Sequence, residues 1–148
     1  MKTICALTSS RADFGLLLPV LERIHGSGDL ALELVVTGTH LSPRHGSTVR
    51  EVEASGLPIS ARIDAEVVQG GAADQPPSLA ILMGGLAKAW TARRPDVLLV
   101  LGDRGEPLVA AMVAVYRRVP IVHLHGGEDT HGGNVDDTVR HAISKLAH

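Results

Sequence analysis

Short, fully apolar runs alternate along this chain with stretches whose apolar residues recur every three or four positions. Residues 3–8 (TICALT) form the first run and predict a buried strand. Phe14, Leu17, Leu18, Leu21 and Ile24 follow at helical spacing. Pro19 falls inside that helix, where it is expected to kink it or confine it to its first turn. The Gly26-Ser27-Gly28 cluster then closes it. Residues 32–37 (LELVVT) predict a second strand and 38–47 a loop. A short helix over 48–55 and a weaker strand over 57–63 come next. Residues 64–78, with Gly70-Gly71 and Pro76-Pro77, read as a mobile loop within the domain. A helix over 79–93 places Leu79, Leu82, Met83, Leu86 and Trp90 on one face. The clearest strand is 97–101 (VLLVL), followed by a helix over 108–116, a strand over 121–124 and a helix from Asp136 to the last residue.

Strands that are apolar throughout and alternate with helices predict a parallel sheet covered on both faces. Right-handed crossovers then give a doubly wound, Rossmann-like α/β domain over residues 1–148. Ligands in this architecture lie at the carboxyl ends of the strands. The chemistry is therefore expected just after each strand, around 9–13, 38–45, 102–106 and 125–137.

Composition narrows the function classes. A formal net charge of −2 argues against a nucleic-acid partner, which calls for a basic surplus. With 2% aromatic residues there is no stacking platform, and the core must be aliphatic. Cys5 is the only cysteine, so an intrachain disulfide is excluded and a reducing, cytoplasmic location is expected. No window of about 18 uncharged apolar residues occurs, so no membrane partner is expected.

Four constellations fall at the expected strand ends. Arg11 stands beside the start of the first helix, where a guanidinium and a helix dipole could bind a diphosphate; a local ion pair with Asp13 is the alternative. Asp103 in Gly102-Asp103-Arg104 could act on a bound ligand or only cap the next helix. His123 and His125 share a face if their strand continues, as a metal pair or as acid–base groups with a nearby carboxylate. The barrel size typical of His-x-His metal hydrolases argues against the metal. On the last helix, Val135, Val139, Ile143 and Leu146 share one face. Asp136–Arg140 and Asp137–His141 are spaced as i,i+4 pairs, a pattern that also fits a solvated, self-paired helix.

The order of these motifs resembles the hydrolysing, sialic-acid-pathway type of UDP-N-acetylglucosamine 2-epimerase. The resemblance rests on TSSRADFGLLLPVL, VVTGTHLSP, RRPDVLLVLGDRGEPLVAA, VPIVHLHGGEDT and DDTVRHAISKLAH. It implies the N-terminal half of a two-domain fold of the glycosyltransferase-B type, with the active site in the interdomain cleft. It implies conversion of UDP-N-acetylglucosamine and water to N-acetylmannosamine and UDP, by elimination and then hydration, without cofactor or metal. By position, Asp103 and Asp136 are implied to be catalytic. His125 stands where several family members carry a catalytic Glu. Arg11, Arg104, Glu128, Arg140 and His141 are implied to contact or support the substrate. Gly105 replaces an aromatic residue, which implies looser packing there. The C-terminal, UDP-binding domain is expected to be absent, with the chain ending inside its last helix, so negligible turnover is expected of 148 residues alone. A homodimer is implied because the family is commonly dimeric. A non-hydrolysing epimerase, a relative acting on a modified UDP-amino sugar such as a diacetamido sugar, and a non-catalytic binding domain are the alternatives.

Overall fold

The computed structural model describes residues 1–65, 70–129 and 135–148. Within them the chain runs β1 (Lys2–Thr8), α1 (Arg11–His25), β2 (Leu30–Val36), α2 (Val49–Ala54), β3 (Ile59–Arg62), α3 (Pro76–Ala92), β4 (Val97–Leu101), α4 (Gly105–Arg117), β5 (Ile121–Leu124) and α5 (Val135–Leu146). The strands form one parallel sheet in the order β3-β2-β1-β4-β5. The doubly wound, Rossmann-like α/β fold expected from the pattern is therefore present.

Alternation along the strands divides the core into two layers. Cys5, Leu7, Leu98 and Val100 face α3, α4 and α5, whose contributions include Leu82, Leu86, Trp90, Ala110 and Ile143. Ala6, Leu32, Leu34 and Leu99 face α1 and α2, meeting Phe14, Leu17, Leu21 and Val52. Burial pushes the Cys5 thiol up to about 12, with the nearby Glu33 charge adding to the effect, so this cysteine is a small core hydrophobe. No helix among the described residues is long and apolar enough to cross a membrane.

Four expectations about elements need correction, the simplest being that helix α4 starts at Gly105, three residues before the predicted 108. Helix α1 passes through Pro19 for 15 residues. The proline and Gly15, whose carbonyl loses its donor, both lie on the exposed side, where solvent can satisfy that carbonyl, while Leu17 and Leu21 anchor the opposite face. Helix α3 begins at Pro76, three residues before the predicted start, because proline is well suited to a first turn whose N–H groups have no partner anyway. Short 3-10 turns at Gly38–Leu41 and Pro43–His45 replace the featureless loop expected after β2. Residues 66–69 of the predicted mobile loop lie outside the described residues, as do Thr130 of the quoted motifs and residues 131–134 of the stretch expected to carry chemistry after the last strand.

The strand order matters most for function. β1 continues to β2 on one side and pairs with β4 on the other, so the connection reverses direction between β1 and β4. Such a reversal opens a crevice at the carboxyl ends of the two strands.

Candidate active site

A cavity of about 500 Å³ occupies that crevice. Its wall includes Ser10 and Asp13 after β1, Gly102, Asp103 and Arg104 after β4, and Asp136 at the start of α5. Two carboxylates that lie 33 residues apart by number, Asp103 and Asp136, thus line one space. Leu79, Leu108 and Val139 supply an apolar side to the same cavity.

Asp103 does not cap α4. The N-cap position is Arg104, which makes no side-chain capping bond. Asp103 instead accepts a hydrogen bond from Nη2 of Arg140, forming an ion pair between the β4–α4 loop and α5. Arg140 also donates Nη1 to Asp137 at 3.0 Å and to the Glu128 carbonyl at 3.1 Å. The bond to Asp103 raises the Arg140 pKa further above its ordinary value, so the guanidinium is a permanent charge here. Gly102, just before Asp103, has φ +83°, the left-handed region that glycine enters without cost. The residue that follows this turn, Asp103, lines the cavity.

The first-helix expectation changes. Arg11 pairs with Glu51, Nε to Oε2 at 3.2 Å, and not with Asp13. It is exposed and does not line the cavity. Asp13 is buried and turns its own carboxylate to the start of the helix, accepting from the Ser9 and Ser10 amides at 3.0 Å each and from the Ser9 hydroxyl at 2.8 Å. Ser10 and Asp13 complete a reciprocal capping box. A diphosphate could not use the Ser9 and Ser10 N–H groups without displacing this internal anion.

A second buried group supports Asp13. The Thr8 hydroxyl donates to Asp13 Oδ1 and lies 2.9 Å from Nε2 of His40, whose Nδ1 lies 2.8 Å from the Thr48 hydroxyl. Because the Thr8 proton goes to Asp13, His40 Nε2 must donate to the Thr8 oxygen. Nδ1 then accepts from Thr48. Burial lowers the His40 pKa, opposed by the charges of Asp13 and Glu51, and holds the ring neutral. Sequence reasoning missed both His40 and the role of Asp13. The Ser10-x-x-Asp13 spacing was an available signal for the cap, whereas nothing local marks His40.

The pair His123 and His125 does not share a face. β5 ends at Leu124, and His125 has φ +56°, which turns the chain out of the strand. His125 is exposed, with Nδ1 4.0 Å from Glu128 Oε1. Both nitrogens of His123 are engaged inside the fold, Nε2 with the Gly102 carbonyl at 2.6 Å and Nδ1 with the Ser144 hydroxyl at 3.0 Å. A metal shared by the two rings does not fit this arrangement. His141 lies outside the cavity wall, 3.0 Å from Asp129. The structure therefore gathers Asp103, Arg104 and Asp136 at the cavity with Arg140 paired to Asp103, and leaves Arg11, His125, Glu128 and His141 outside its wall. Val135, expected in the apolar face of α5, is exposed and lines the cavity instead. Packing beside Gly105 is also tighter than expected: a Cβ there would stand 2.8 Å from Leu79 Cδ1, so α3 fills the space.

Comparison with known proteins agrees with this fold. Over its full length the chain is 41% identical to a UDP-N,N′-diacetylbacillosamine 2-epimerase (hydrolyzing) of Legionella pneumophila, covering 39% of that protein. It is 34% identical over 152 aligned positions to a UDP-N-acetylglucosamine 2-epimerase of Neisseria meningitidis, covering 38% of it. The chain thus spans about two-fifths of the length of these curated relatives. The crystal structure of a Neisseria meningitidis UDP-GlcNAc 2-epimerase bound to UDP-GlcNAc shares the fold, with a TM-score of 0.80 at 17% identity over 99% of this chain and 39% of that one. Residues 22–148 match the family described as UDP-N-acetylglucosamine 2-epimerase, and the chain belongs to that family.

Proposed function

We propose that this chain carries the acid–base half of a hydrolysing UDP-sugar 2-epimerase, which converts a UDP-2-acetamido sugar and water to UDP and the free C2-epimeric sugar. The observation that carries the reading is the convergence of Asp103 and Asp136 on one cavity at the switch point of the sheet. Inversion at C2 needs a proton removed from one face of the ring and one delivered to the other, and two carboxylates on a shared cavity suit that demand. In the elimination step a carboxylate takes the C2 proton, the C1–O bond breaks and UDP leaves with its electron pair. Water then adds its hydroxyl to C1 while C2 is reprotonated from the opposite face. Arg104 on the cavity wall offsets charge on the departing diphosphate.

Arg104 and Asp136 are both exposed. Excluding water from the first step therefore calls for a further segment over the cavity, which in this reading comes from a second domain and brings the uridine contacts. UDP-N-acetylglucosamine is the simplest substrate. A diacetamido sugar is the second reading, favoured by relatives 41% and 35% identical whose names specify UDP-N,N′-diacetylbacillosamine or its GDP/UDP form.

The test supplies each UDP-sugar in D2O to two proteins: this chain alone, and a Legionella relative in which this chain replaces the matching residues. The chain alone should release negligible UDP. The chimera, once shown to fold, should release UDP together with a free sugar deuterated at C2. Retention of the epimerised UDP-sugar would indicate a non-hydrolysing enzyme. No turnover of either sugar by a folded chimera would reduce the chain to a binding domain.

A further inference from the structure

Both ring nitrogens of His123 are engaged inside the fold, which suits neither a shared metal nor proton exchange with a ligand but a different task. A carbonyl oxygen can only accept, so the 2.6 Å contact with Gly102 places the ring proton on Nε2. With the proton on Nε2, the ring's Nδ1 accepts from the Ser144 hydroxyl at 3.0 Å. The Ser144 oxygen in turn accepts the Gly127 N–H at 3.0 Å. One imidazole and one hydroxyl thereby link three segments: the loop carrying Asp103, the loop after β5 and helix α5 carrying Asp136 and Arg140.

The local sequence fits this linkage. A Cβ on Gly126 would stand 2.6 Å from His123 Nδ1 and 2.7 Å from Ser144 Oγ, so only glycine lets the chain pass over the pair. The other β5 residues, Ile121, Val122 and Leu124, are apolar. Gly102 is held from β5 at both ends, its N–H by the Leu124 carbonyl at 3.0 Å and its carbonyl by His123. A glycine at φ +83° is free to swing unless clamped, and Asp103 is the next residue.

We propose that His123 is a positioning residue: with Ser144 it braces the Gly102–Asp103 peptide against α5 and so fixes the Asp103 carboxylate relative to Asp136. The proposal rests on the 2-epimerase reading above. The Arg140–Asp103 ion pair is one link between the same two elements, and a single link leaves a rotation open. The His123–Ser144 link supplies the second. Both carboxylates must address one carbon from opposite faces, and an error of about 1 Å in such an arrangement can cost about 10²-fold in rate.

The decisive experiment combines kinetics in the active chimera with amide hydrogen exchange in this chain. His123→Ala should lower kcat by about 10²-fold and leave KM within about threefold, the signature of lost alignment. His123→Gln, whose amide nitrogen can reach the Gly102 carbonyl, should restore part of that loss. The double variant His123→Ala/Ser144→Ala should be no slower than His123→Ala, because both residues act through one chain of bonds. In exchange, His123→Ala should speed the Gly127 amide, which His123 does not bond directly. A His123→Ala kcat within twofold of wild type would overturn the proposal, as would a Gln variant no better than Ala. If His123→Ala does not fold, Ser144→Ala decides: a kcat fall of about 10-fold supports the brace and an unchanged kcat overturns it. If the wild-type chimera turns over neither sugar, the epimerase reading fails by itself. Exchange then decides the brace, faster at Gly127 in support and unchanged against it.

Discussion

Arg140 of α5 and Asp103 of the β4–α4 loop are bound to each other by their side chains, so the helix is tied to a residue of the cavity wall. The guanidinium serves Asp137 and the Glu128 carbonyl as well, so three segments converge on one cation.

Replacing Arg140 should therefore disturb more than a surface contact. Arg140→Met should lower the thermal midpoint and the turnover of the active enzyme together, because two carboxylates lose their counter-charge. Arg140→Lys keeps the charge but not the planar fork, and should fall between wild type and Met in both measurements. Equal midpoints for all three proteins would show that the convergence contributes nothing to stability.

The two cavity carboxylates make the sharper kinetic prediction. Asp103→Asn and Asp136→Asn should each cut kcat for UDP release by about 10²-fold or more if the groups exchange protons with the sugar. Circular dichroism should remain unchanged for Asp136→Asn, whose side chain is at the exposed start of its helix. Full activity in both variants would leave the carboxylates with a structural role only.

His40 predicts a pH dependence of stability. Its pKa in the folded protein lies below the ordinary value because the ring is buried. Between pH values near the unfolded pKa of about 6.5 and the lower folded pKa, the unfolded chain binds more protons than the native one. Stability is thus complete above about pH 6.5 and is lost as the pH falls toward the folded pKa. Urea melts at pH 7.5 and 5.5 should show this loss in wild type and a shallower one in His40→Gln. An identical slope in the variant would remove His40 from the acid response.

Ile143 anchors the helix that carries Asp136 and Arg140, and it is fully buried among α4 and sheet residues. Ile143→Ala should cost about 2–5 kcal/mol in chemical denaturation, the range for an emptied core site of this size. A loss below about 1 kcal/mol would mean that α5 is held by its polar contacts and not by its apolar face.

Much of this fold can be read from the chain because apolar runs and helical periodicity are local. The observed bounds of β4 and β5 coincide with the predicted strands, and the α3 core positions Leu82, Leu86 and Trp90 are buried as the spacing requires. Asp103 is legible as a candidate because it directly follows β4, whereas Asp136 is singled out by the resemblance of its motif and not by its helical spacing, which also fits a self-paired helix face. The errors have nonlocal or conformational causes. Strand alternation assigned His125 to the face of His123, but one positive φ at His125 breaks the alternation without altering hydropathy. Asp13 looked like a surface partner for Arg11 because its buried donors come from its own turn and from Thr8. His40 gained its meaning only when Thr8 and Thr48 closed around it.

The pairing of β1 with β4 bears on how the site comes into being. The Thr3 N–H meets the Asp96 carboxylate across 93 residues of sequence, and Ile4 stands beside Val97 in the ladder. Helices and the β1–β2 pair can form early from nearby segments, whereas this junction must first close a long loop, with the entropic cost and slow rate that such closure brings. The crevice has no local precursor: a chain cut between α3 and β4 would retain much of its secondary structure and possess no cavity. In kinetic terms the crevice is expected to be among the last parts of the domain to assemble, and a ligand that requires it would report on completed folding and not on early collapse.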